Sequence, residues 1–352
     1  MSKKVFVGMS GGVDSSLAAA LLVEQGYEVT GVFMKNWTRD LPGFACGWED
    51  DFKDAKTVAV QLNIPFLVFD FEEQYRSRVV DYMLKAYQDG QTPNPDIMCN
   101  QEIKFKLFLE TALAQGADYI ATGHYSRTRN GKLLTARDES KDQSYFLYRV
   151  SPQALKRTIF PLGEMHKSTV RREAAKRGLL TADKPDSVGI CFVGEIGIKQ
   201  FLQSELGVQQ SGEIIDQNGK VIGTHDGAIY YTIGQRHGLN VGGGLPYYVT
   251  HKDMQRNQVH VSSDLGDDQL WSSELGLSDL WWINEQPPTG STRLSVKCRY
   301  RSPSVGCSLD LSDPNGVKII LDEAYRAASP GQSAVIYRGE EVLGGGIIST
   351  RA

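Results

Sequence analysis

The feature that most constrains the fold is the string Ser-Gly-Gly-Val-Asp-Ser-Ser at residues 10–16. It follows a short apolar run, Lys3 to Met9, and opens a helical pattern from Asp14 to Gln25. Glycines let a backbone approach a ligand closely, and a helix start presents free N–H groups and the positive end of the helix dipole. The string therefore predicts a phosphate-binding turn between a strand and a helix. It lacks the Gly-Lys-Ser/Thr ending of the Walker loop. The alternative is a tight turn without a ligand.

Strand and helix patterns alternate through the first part of the chain. Strands are predicted at 29–34, 65–71 and 119–122, and helices at 49–62, 75–87 and 101–115. Strands separated by single helices predict a parallel sheet with helices on both faces, in which ligands bind at the carboxyl ends of the strands. The loops after Met9, Met34 and Thr122 are therefore expected to meet at one site.

The second part of the chain has short runs rich in Gly, Tyr and β-branched residues. Asp-Gln-Asn-Gly-Lys at 216–220 predicts a hairpin turn. Strands of a small barrel or sandwich are predicted at 293–300, 306–311, 317–321 and 334–337. We expect an α/β fold with a doubly wound parallel sheet in residues 1–200, a small β-rich domain in 201–272 and a C-terminal β-barrel in 273–352.

Composition excludes several classes of protein. The net charge of −4 argues against a protein that coats nucleic acid nonspecifically. Two local clusters are basic, one within 293–301 and one within 167–177; for the second, a solvated helix face is an equal alternative. No apolar run has the length of a membrane span, and no signal-peptide pattern is present. Five scattered cysteines without zinc-ligand spacing indicate a reducing compartment, so we expect a cytoplasmic protein without membrane contact.

A proline-rich segment at residues 92–100, Thr-Pro-Asn-Pro-Asp-Ile-Met-Cys-Asn, predicts an extended loop before a helix that begins near Gln101. A cysteine at a helix N-terminus has a lowered thiol pKa, which favours the nucleophilic thiolate. Cys99 is therefore a candidate nucleophile. Asp96, three residues earlier, is a candidate general acid or base.

A second cysteine, Cys191, lies in a glycine-flanked stretch at 186–194, and 92 residues separate it from Cys99. Such a pair suits sulfur relay, in which a persulfide on Cys191 supplies sulfur and Cys99 resolves the remaining disulfide. The alternative for any one cysteine is a buried structural role. We expect that role for Cys46, Cys298 and Cys307.

The phosphate-binding string resembles the PP-loop of ATP pyrophosphatases, which cleave ATP between the α and β phosphates. Five further strings occur in a fixed order, at 33–37, 92–100, 121–125, 186–192 and 231–239. Together the six resemble the tRNA 2-thiouridylase family from residue 3 to near the C-terminus. One departure is Ile-Gly-Ile-Lys at 196–199, where the family often has a basic and then an aromatic residue.

The resemblance implies a reaction. ATP adenylates O2 of the wobble uridine in tRNAs for lysine, glutamate and glutamine, and AMP leaves as sulfur arrives. Mg²⁺ would accompany ATP, with Asp14 helping to hold it and no metal site built from protein ligands alone. A cysteine desulfurase or a small carrier protein would deliver the sulfur, and the enzyme is expected to be a monomer.

The resemblance also assigns residues. Those that match ATP-binding positions are Gly8, Met9, Ser10, Gly11, Gly12, Val13, Asp14, Ser15, Met34 and Gly123. Cys99 matches the nucleophile and Cys191 the persulfide carrier, joined by a disulfide during the catalytic cycle. The target base would meet Asn94, Pro95 and Asp96. Contacts to tRNA are implied for His124, Lys141, Asp142, Gln143, Arg299, Tyr300 and Gln332.

Two rival functions remain open from the residues. Another adenylating ligase of the PP-loop class would need the phosphate-binding turn but neither Cys99 nor Cys191. A non-catalytic tRNA-binding protein would use the β domains and the basic track at 293–301 without consuming ATP.

Overall fold

The structure, a computed structural model, describes residues 2–40, 46–186, 197–239, 241–242, 244, 246–288, 293–313 and 316–352. The strands within these ranges are, in chain order, β1 Lys4–Gly8, β2 Glu28–Lys35, β3 Phe66–Asp70, β4 Tyr119–Ala121, β5 Arg127–Arg129, β6 Lys132–Leu134, β7 Thr158–Ile159, β8 Gly212–Ile215, β9 Val221–His225, β10 Tyr248–Asp253, β11 Gln258–Ser262, β12 Trp271–Trp282, β13 Leu294–Lys297, β14 Val305–Asp310, β15 Val317–Arg326, β16 Ser333–Arg338 and β17 Glu341–Arg351.

The α-helices are α1 Val13–Glu24, α2 Trp48–Gln61, α3 Glu72–Tyr75, α4 Asp81–Gln88, α5 Pro95–Met98, α6 Phe108–Ala114, α7 Pro152–Lys156, α8 Lys167–Lys176 and α9 Ile198–Leu206. Two π-helical segments, Arg76–Val80 and Cys99–Leu107, join α3 to α4 and α5 to α6 without a break. π-Helical insertions in α-helices are frequent at functional sites, and the second one begins at the candidate nucleophile Cys99.

The first sheet is parallel, with the strand order β3-β2-β1-β4-β7. Its central strand is buried on both faces: Val5 and Val7 belong to one core with Leu17 of α1, and Phe6 belongs to the other with Phe108 of α6. Alternation at a period of two thus sends successive side chains of β1 into different cores. The predicted parallel sheet with helices on both faces is confirmed.

The second half of the chain forms two further sheets. Strands β10-β11-β8-β9 make a four-stranded sheet that contains the predicted hairpin. Strands β12-β15-β14-β13-β16-β17 close into a barrel because β12 also pairs with β17. The predicted C-terminal β-barrel is confirmed, although the sequence did not predict its two closing strands.

The first sheet and the barrel are joined by direct contacts. The hairpin β5-β6 extends the barrel sheet, with Leu134 opposite Glu341. The buried guanidinium of Arg149 donates hydrogen bonds to both carboxylate oxygens of Asp279 at 2.9 and 3.0 Å. A residue from the barrel can therefore lie beside a loop of the first sheet. Among the described residues, every helix is too short or too polar to cross a bilayer.

Candidate functional site

The phosphate-binding turn is held by contacts between neighbouring residues. The backbone N–H of Ser10 donates to Oγ of Ser15 at 3.1 Å, and that hydroxyl donates to the carbonyl oxygen of Gly12 at 3.1 Å. Gly11 has a φ of +73°, and a Cβ there would lie 2.3 Å from the carbonyl oxygen of Asp51. Helix α1 begins directly after the turn, so its first N–H groups, which lack intrahelical acceptors, are available to an anion.

The other expected nucleotide residues lie on the same edge of the sheet. A Cβ at Gly8 would lie 2.9 Å from Cε of Met34, and a Cβ at Gly123 would lie 2.7 Å from the backbone nitrogen of Ser15. Strands β2, β1 and β4 are neighbours, so their carboxyl ends bring these residues together. The absence of a side chain at Gly123 is what lets its loop cross the first turn of α1.

Asp14, in that first turn, is the acceptor of two side chains. The hydroxyl of Tyr125 donates to its Oδ1 at 2.7 Å, and Nζ of Lys167 lies 2.7 Å from both carboxylate oxygens. Burial, followed by the Asp14 charge and hydrogen bond, raises the pKa of Tyr125 far above its usual value, so Tyr125 remains a donor. Lys167 thus brings a positive charge directly to the phosphate-binding turn.

Three cations converge on Asp186, near that turn. Lys141 and Lys167 lie 2.9 Å from its carboxylate oxygens, and Nη2 of Arg171 lies 2.6 Å away. Burial opposes ionisation of Asp186, but hydrogen bonds from Lys167 and Lys141 outweigh it and hold its pKa well below the usual range. The three cations face two carboxylates, Asp186 and Asp14, so the cluster retains a net positive charge.

Sequence reasoning did not assign Lys167 and Arg171 to the site. Their spacing of four residues places both on one face of α8, which packs on α1. On the same helix, Arg172 is exposed and Lys176 pairs with Glu173 at 2.8 Å. The solvated-face alternative is thus right for part of the basic cluster and wrong for Lys167 and Arg171.

The loop expected to meet the target base is held by two distant parts of the chain. Thr92 donates its N–H to the carbonyl oxygen of Pro330 at 2.9 Å. Nε2 of Gln332 donates to the carbonyl oxygen of Thr92 at 2.7 Å, and the hydroxyls of Thr92 and Thr232 lie 3.3 Å apart. The barrel and the central sheet therefore fix the residue that leads into the loop.

The loop becomes helical earlier than predicted. Asn94 is extended, and α5 begins at Pro95, the first helical position, where proline loses no hydrogen bond. The prediction of an extended loop up to Asn100 was wrong, because the fixed φ of Pro95 starts a helix instead of preventing one. Cys99 therefore lies one turn inside the helix, and the residue is 4% exposed.

Two polar side chains of this loop lie in buried surroundings. Oδ1 of Asn94 is buried and has no hydrogen-bond partner among the described residues. Burial raises the pKa of Asp96, while the positive charge of Lys104 opposes the rise. Asn94 can therefore bind a polar base edge, and Asp96 can hold a proton at a higher pH than an exposed aspartate. Sequence reasoning missed Lys104, which follows Cys99 in the π-helical segment.

His124 connects this loop to the phosphate-binding turn. Its ring lies 5.6 Å from that of Phe105 and 6.3 Å from that of Phe160, and its Nδ1 is 2.8 Å from Oγ1 of Thr122. Burial, and then the charge of Lys104, lower the pKa of His124 well below its usual value. The ring is therefore neutral near pH 7 and has a partly apolar surface.

Cys191 lies outside the described residues, but both flanks of its segment are described. On one side Asp186 holds the cation cluster. On the other side Phe201 of α9 contacts Trp37, with 5.9 Å between ring centroids, and Glu205 pairs with Arg76 at 2.5 Å. The described residues on either side, Asp186 and α9, thus contact the domain that carries the phosphate-binding turn.

Several residues expected to contact tRNA bind other parts of the chain. The buried carboxylate of Asp142 accepts the N–H of Ala136 and the hydroxyl of Ser144, each at 2.9 Å. Oε1 of Gln143 accepts the N–H of Tyr125 at 2.9 Å. These two residues organise the loop that carries Lys141.

Arg299 and Tyr300 lie at the junction of the domains. Nη2 of Arg299 donates to the carbonyl oxygen of Ile233 at 2.7 Å and to Oγ of Ser329 at 2.8 Å. The Tyr300 ring lies 4.4 Å from that of Phe146. Arg299 therefore ties the central sheet to the barrel.

The remaining cysteines have the surroundings of structural residues. Burial raises the pKa of Cys298 and of Cys307 to about 12, and also raises that of Cys46. No group of three or more His, Cys, Asp or Glu side chains with metal-binding geometry occurs in the part of the chain that the structure describes.

The chain is similar to known proteins over nearly its whole length. Family models match residues 3–195 (tRNA methyl transferase HUP domain), 199–263 (tRNA methyl transferase PRC-barrel domain) and 272–348 (aminomethyltransferase β-barrel domain). The tRNA-specific 2-thiouridylase MnmA 2 of Geobacillus kaustophilus is 47% identical over 350 residues, which cover 98% of this chain and 94% of that protein. The tRNA-specific 2-thiouridylase MnmA of Pseudoalteromonas translucida is 47% identical over 357 residues, with 99% and 97% covered.

Proposed function

The chain belongs to the tRNA-specific 2-thiouridylase family, and we propose that it uses ATP to replace O2 of the wobble uridine in tRNA with sulfur. It is an ATP-binding tRNA sulfurtransferase. The observation that supports this mechanism is a series of neighbouring residues that connects the phosphate-binding turn to the target-base loop. Gly123 lies against Ser15, His124 follows it, and Lys104 acts on both His124 and Asp96.

The first step is adenylation of the base. O2 of the uracil attacks the α-phosphorus of ATP, a P–O bond forms, and pyrophosphate leaves with the electron pair of the broken bond. We propose that the N–H groups at the start of α1 bind the phosphates, while Lys167 and Arg171 stabilise the charge that develops on the leaving pyrophosphate. Met34 and Gly123 form the walls of the nucleotide site.

Mg²⁺ fits this site as the ion of the nucleotide. A carboxylate and phosphate oxygens are ligands that Mg²⁺ prefers, and Asp14 lies in the turn that would face the phosphates. When bound, the ion would neutralise phosphate charge. The residues of this chain then position the phosphates and the base.

A proton must leave N3 of the uracil as O2 becomes bonded to phosphorus. Asp96 is the proposed acceptor, because a carboxylate with a raised pKa is a better base near neutral pH than an ordinary aspartate. Asn94 binds the polar edge of the base that has left the stack. Asp96 returns the proton to N3 when the C2=S bond is complete.

The second step is sulfur transfer. The terminal sulfur of a persulfide on Cys191 attacks C2, and AMP leaves with the original O2. The thiolate of Cys99 then attacks the Cys191 sulfur bonded to the transferred atom. Cleavage of that S–S bond leaves 2-thiouridine and a Cys99–Cys191 disulfide, which two electrons from an external thiol reduce.

The finer assignments extend the same proposal. The substrates are the tRNAs for lysine, glutamate and glutamine, and the sulfur donor is a cysteine desulfurase or a sulfur carrier protein. The residues proposed to contact tRNA include Lys141, Arg299, Tyr300 and Gln332. Free thiols in the catalytic cycle need a reducing compartment, so the proposed location is the cytoplasm.

The test is ATP-dependent transfer of labelled sulfur to unmodified glutamate tRNA, with a desulfurase and cysteine present, for the wild type and Cys191→Ser. We expect label in the wobble uridine with the wild type and none with the variant. Full turnover by Cys191→Ser would favour another adenylating ligase, and tRNA binding without any ATP turnover would favour a non-catalytic binding protein.

The two cysteines give a second test. Cys99→Ala and Cys191→Ala should each abolish thiolation and leave the dissociation constant for tRNA nearly unchanged, because neither residue supplies charge to the tRNA surface. Nonreducing peptide mapping of the oxidised wild type should contain the Cys99–Cys191 pair. Its absence after turnover would contradict the relay.

A further inference from the structure

A small cavity of about 120 Å³ lies where the three domains meet. Its lining comes from the segment before the target-base loop, from β10 and from the turn between β15 and β16, and includes Gly90, Thr92, His251, Lys252, Ser329 and Pro330. The volume is roughly that of four water molecules. It is below the roughly 300 Å³ at which small-molecule pockets begin, so the cavity suits a group of few atoms.

Lys252 is one of the residues that line this cavity, and it carries a positive charge without a hydrogen-bond partner among the described residues. Its Nζ is buried. Burial alone lowers the pKa of Lys252 to about 8, and no acidic group contributes to the shift. A buried ammonium group without a partner is costly, so its retention calls for a ligand that supplies acceptors.

Two arginines lie beside the lining of the cavity. Arg299 binds the lining residue Ser329 with Nη2, as described above. Arg351 donates to the carbonyl oxygen of Thr250 at 2.6 Å, and its Nη1 is buried without a partner among the described residues. None of the lining residues is acidic. The unpartnered positive charge of Lys252, a lining without acidic side chains and a small volume together fit an oxyanion.

The position of the cavity identifies the source of that oxyanion. Thr92 lines it and stands two residues before Asn94, where the target-base loop begins. An enzyme that rotates a nucleotide out of the stack must hold the adjoining backbone, and phosphate contacts position that backbone without reading sequence. We propose that the cavity is a phosphate-binding site that receives one backbone phosphate of the bound tRNA beside the target uridine.

This inference rests on the proposed binding of tRNA, and its test separates the two. The dissociation constant for unmodified glutamate tRNA is measured over a range of salt concentrations for the wild type and Lys252→Gln. Loss of one phosphate contact should reduce the slope of log K against log salt by about 1. We also expect affinity at low salt to fall about tenfold. Lys220→Gln, which removes a charge from an exposed turn of the same domain, should leave the slope unchanged.

A second variant distinguishes a ligand-binding lysine from a structural one. Lys252→Met should raise the melting temperature of the RNA-free protein, because it removes a buried charge without a partner, and should still weaken tRNA binding. Lys252→Arg should keep most of the salt slope. A melting temperature that falls together with affinity would overturn the inference, since the lysine would then support the fold.

Inorganic phosphate separates the two sources of the oxyanion. If millimolar phosphate raises the melting temperature of the wild type but not of Lys252→Met, and the tRNA salt slopes of the two are equal, the site binds a free anion and the tRNA assignment is wrong. Equal slopes with normal thiolation by the wild type would overturn the inference while the function stands. A wild type that fails to bind tRNA would overturn both.

Discussion

The phosphate-binding turn and the target-base loop serve one proposed reaction, yet the chain holds them in different ways. Ser10 binds Ser15, five residues away, and the hydroxyls of Ser15 and Ser16 both donate to the carbonyl oxygen of Gly12, so the backbone of the turn is held by near neighbours. Thr92 is held by Thr232 and Gln332, which are 140 and 240 residues away. One region is built by a short stretch of sequence, and the other needs all three domains.

This difference predicts which structural changes should impair ATP binding and which should impair recognition of the base. A local turn before a helix forms with its domain, so ATP binding should survive damage to the barrel. The loop that meets the base depends on contacts across domain boundaries. Gly331 illustrates this, because a Cβ there would lie 2.7 Å from the backbone nitrogen of Thr92. Base recognition should therefore fail when either distant domain moves.

The largest effect is expected for Gly11→Ala. A Cβ at residue 11 would lie 2.3 Å from the carbonyl oxygen of Asp51, so the turn must shift and its donors lose their alignment. AMP formation should fall at least a hundredfold, with tRNA affinity unchanged. Gly26→Ala is the matched control, since its φ of +83° imposes similar strain but no atom lies within 4 Å. Equal losses in the two variants would mean that strain, not the turn, sets the rate.

The next effect is expected for Lys167→Met, which removes a positive charge beside Asp14. Stabilisation of the leaving pyrophosphate should weaken, and the rate of tRNA-dependent AMP formation should fall about a hundredfold. Lys176→Met, on the same helix but paired with Glu173, should behave like the wild type. A normal rate for Lys167→Met would contradict its assignment to the phosphate site.

Gln332→Ala tests the target-base loop. Loss of the hydrogen bond to Thr92 loosens the base loop, and small displacements of a reacting group carry large penalties, so kcat for thiolation should fall about tenfold. ATP affinity in the absence of tRNA should not change. Gln217→Ala, at an exposed turn, is the control. A loss of ATP affinity in Gln332→Ala would break the proposed independence of the two regions.

The same contrast explains what the sequence predicted. The turn at 10–16 carries its geometry in consecutive residues, and so the strand, the turn and the helix were all predicted from local pattern. The closing strands β12 and β17 were not. The Gly344–Gly346 run that weakens the pattern of β17 is required by packing, since a Cβ at Gly345 would lie 2.1 Å from the carbonyl oxygen of Ala334.

The site residues that the sequence did not predict also depend on contacts between distant parts of the chain. Lys167 and Arg171 resembled an ordinary basic helix face, because only the packing of α8 on α1 directs them toward the phosphate turn. Lys104 gave no separate pattern, since its effect on Asp96 arises from the path of one π-helical segment. The clamp of Gln332 on Thr92 depends on contacts across the whole chain, which no local pattern encodes.

The smallest and most specific effect is expected for Lys104→Met. Asp96 must be ionised to accept a proton, so the rate should fall as pH falls through its raised pKa. The positive charge of Lys104 opposes that rise. Its removal should raise the pKa further and move the acidic limb of the pH–rate profile to higher pH. Lys106→Met, which removes a charge paired with Glu102 instead, should leave the limb in place. Asp96→Asn should remove the limb altogether. A limb that stays fixed in Lys104→Met, or persists in Asp96→Asn, would mean that another group takes the proton and that the base loop only positions the uridine.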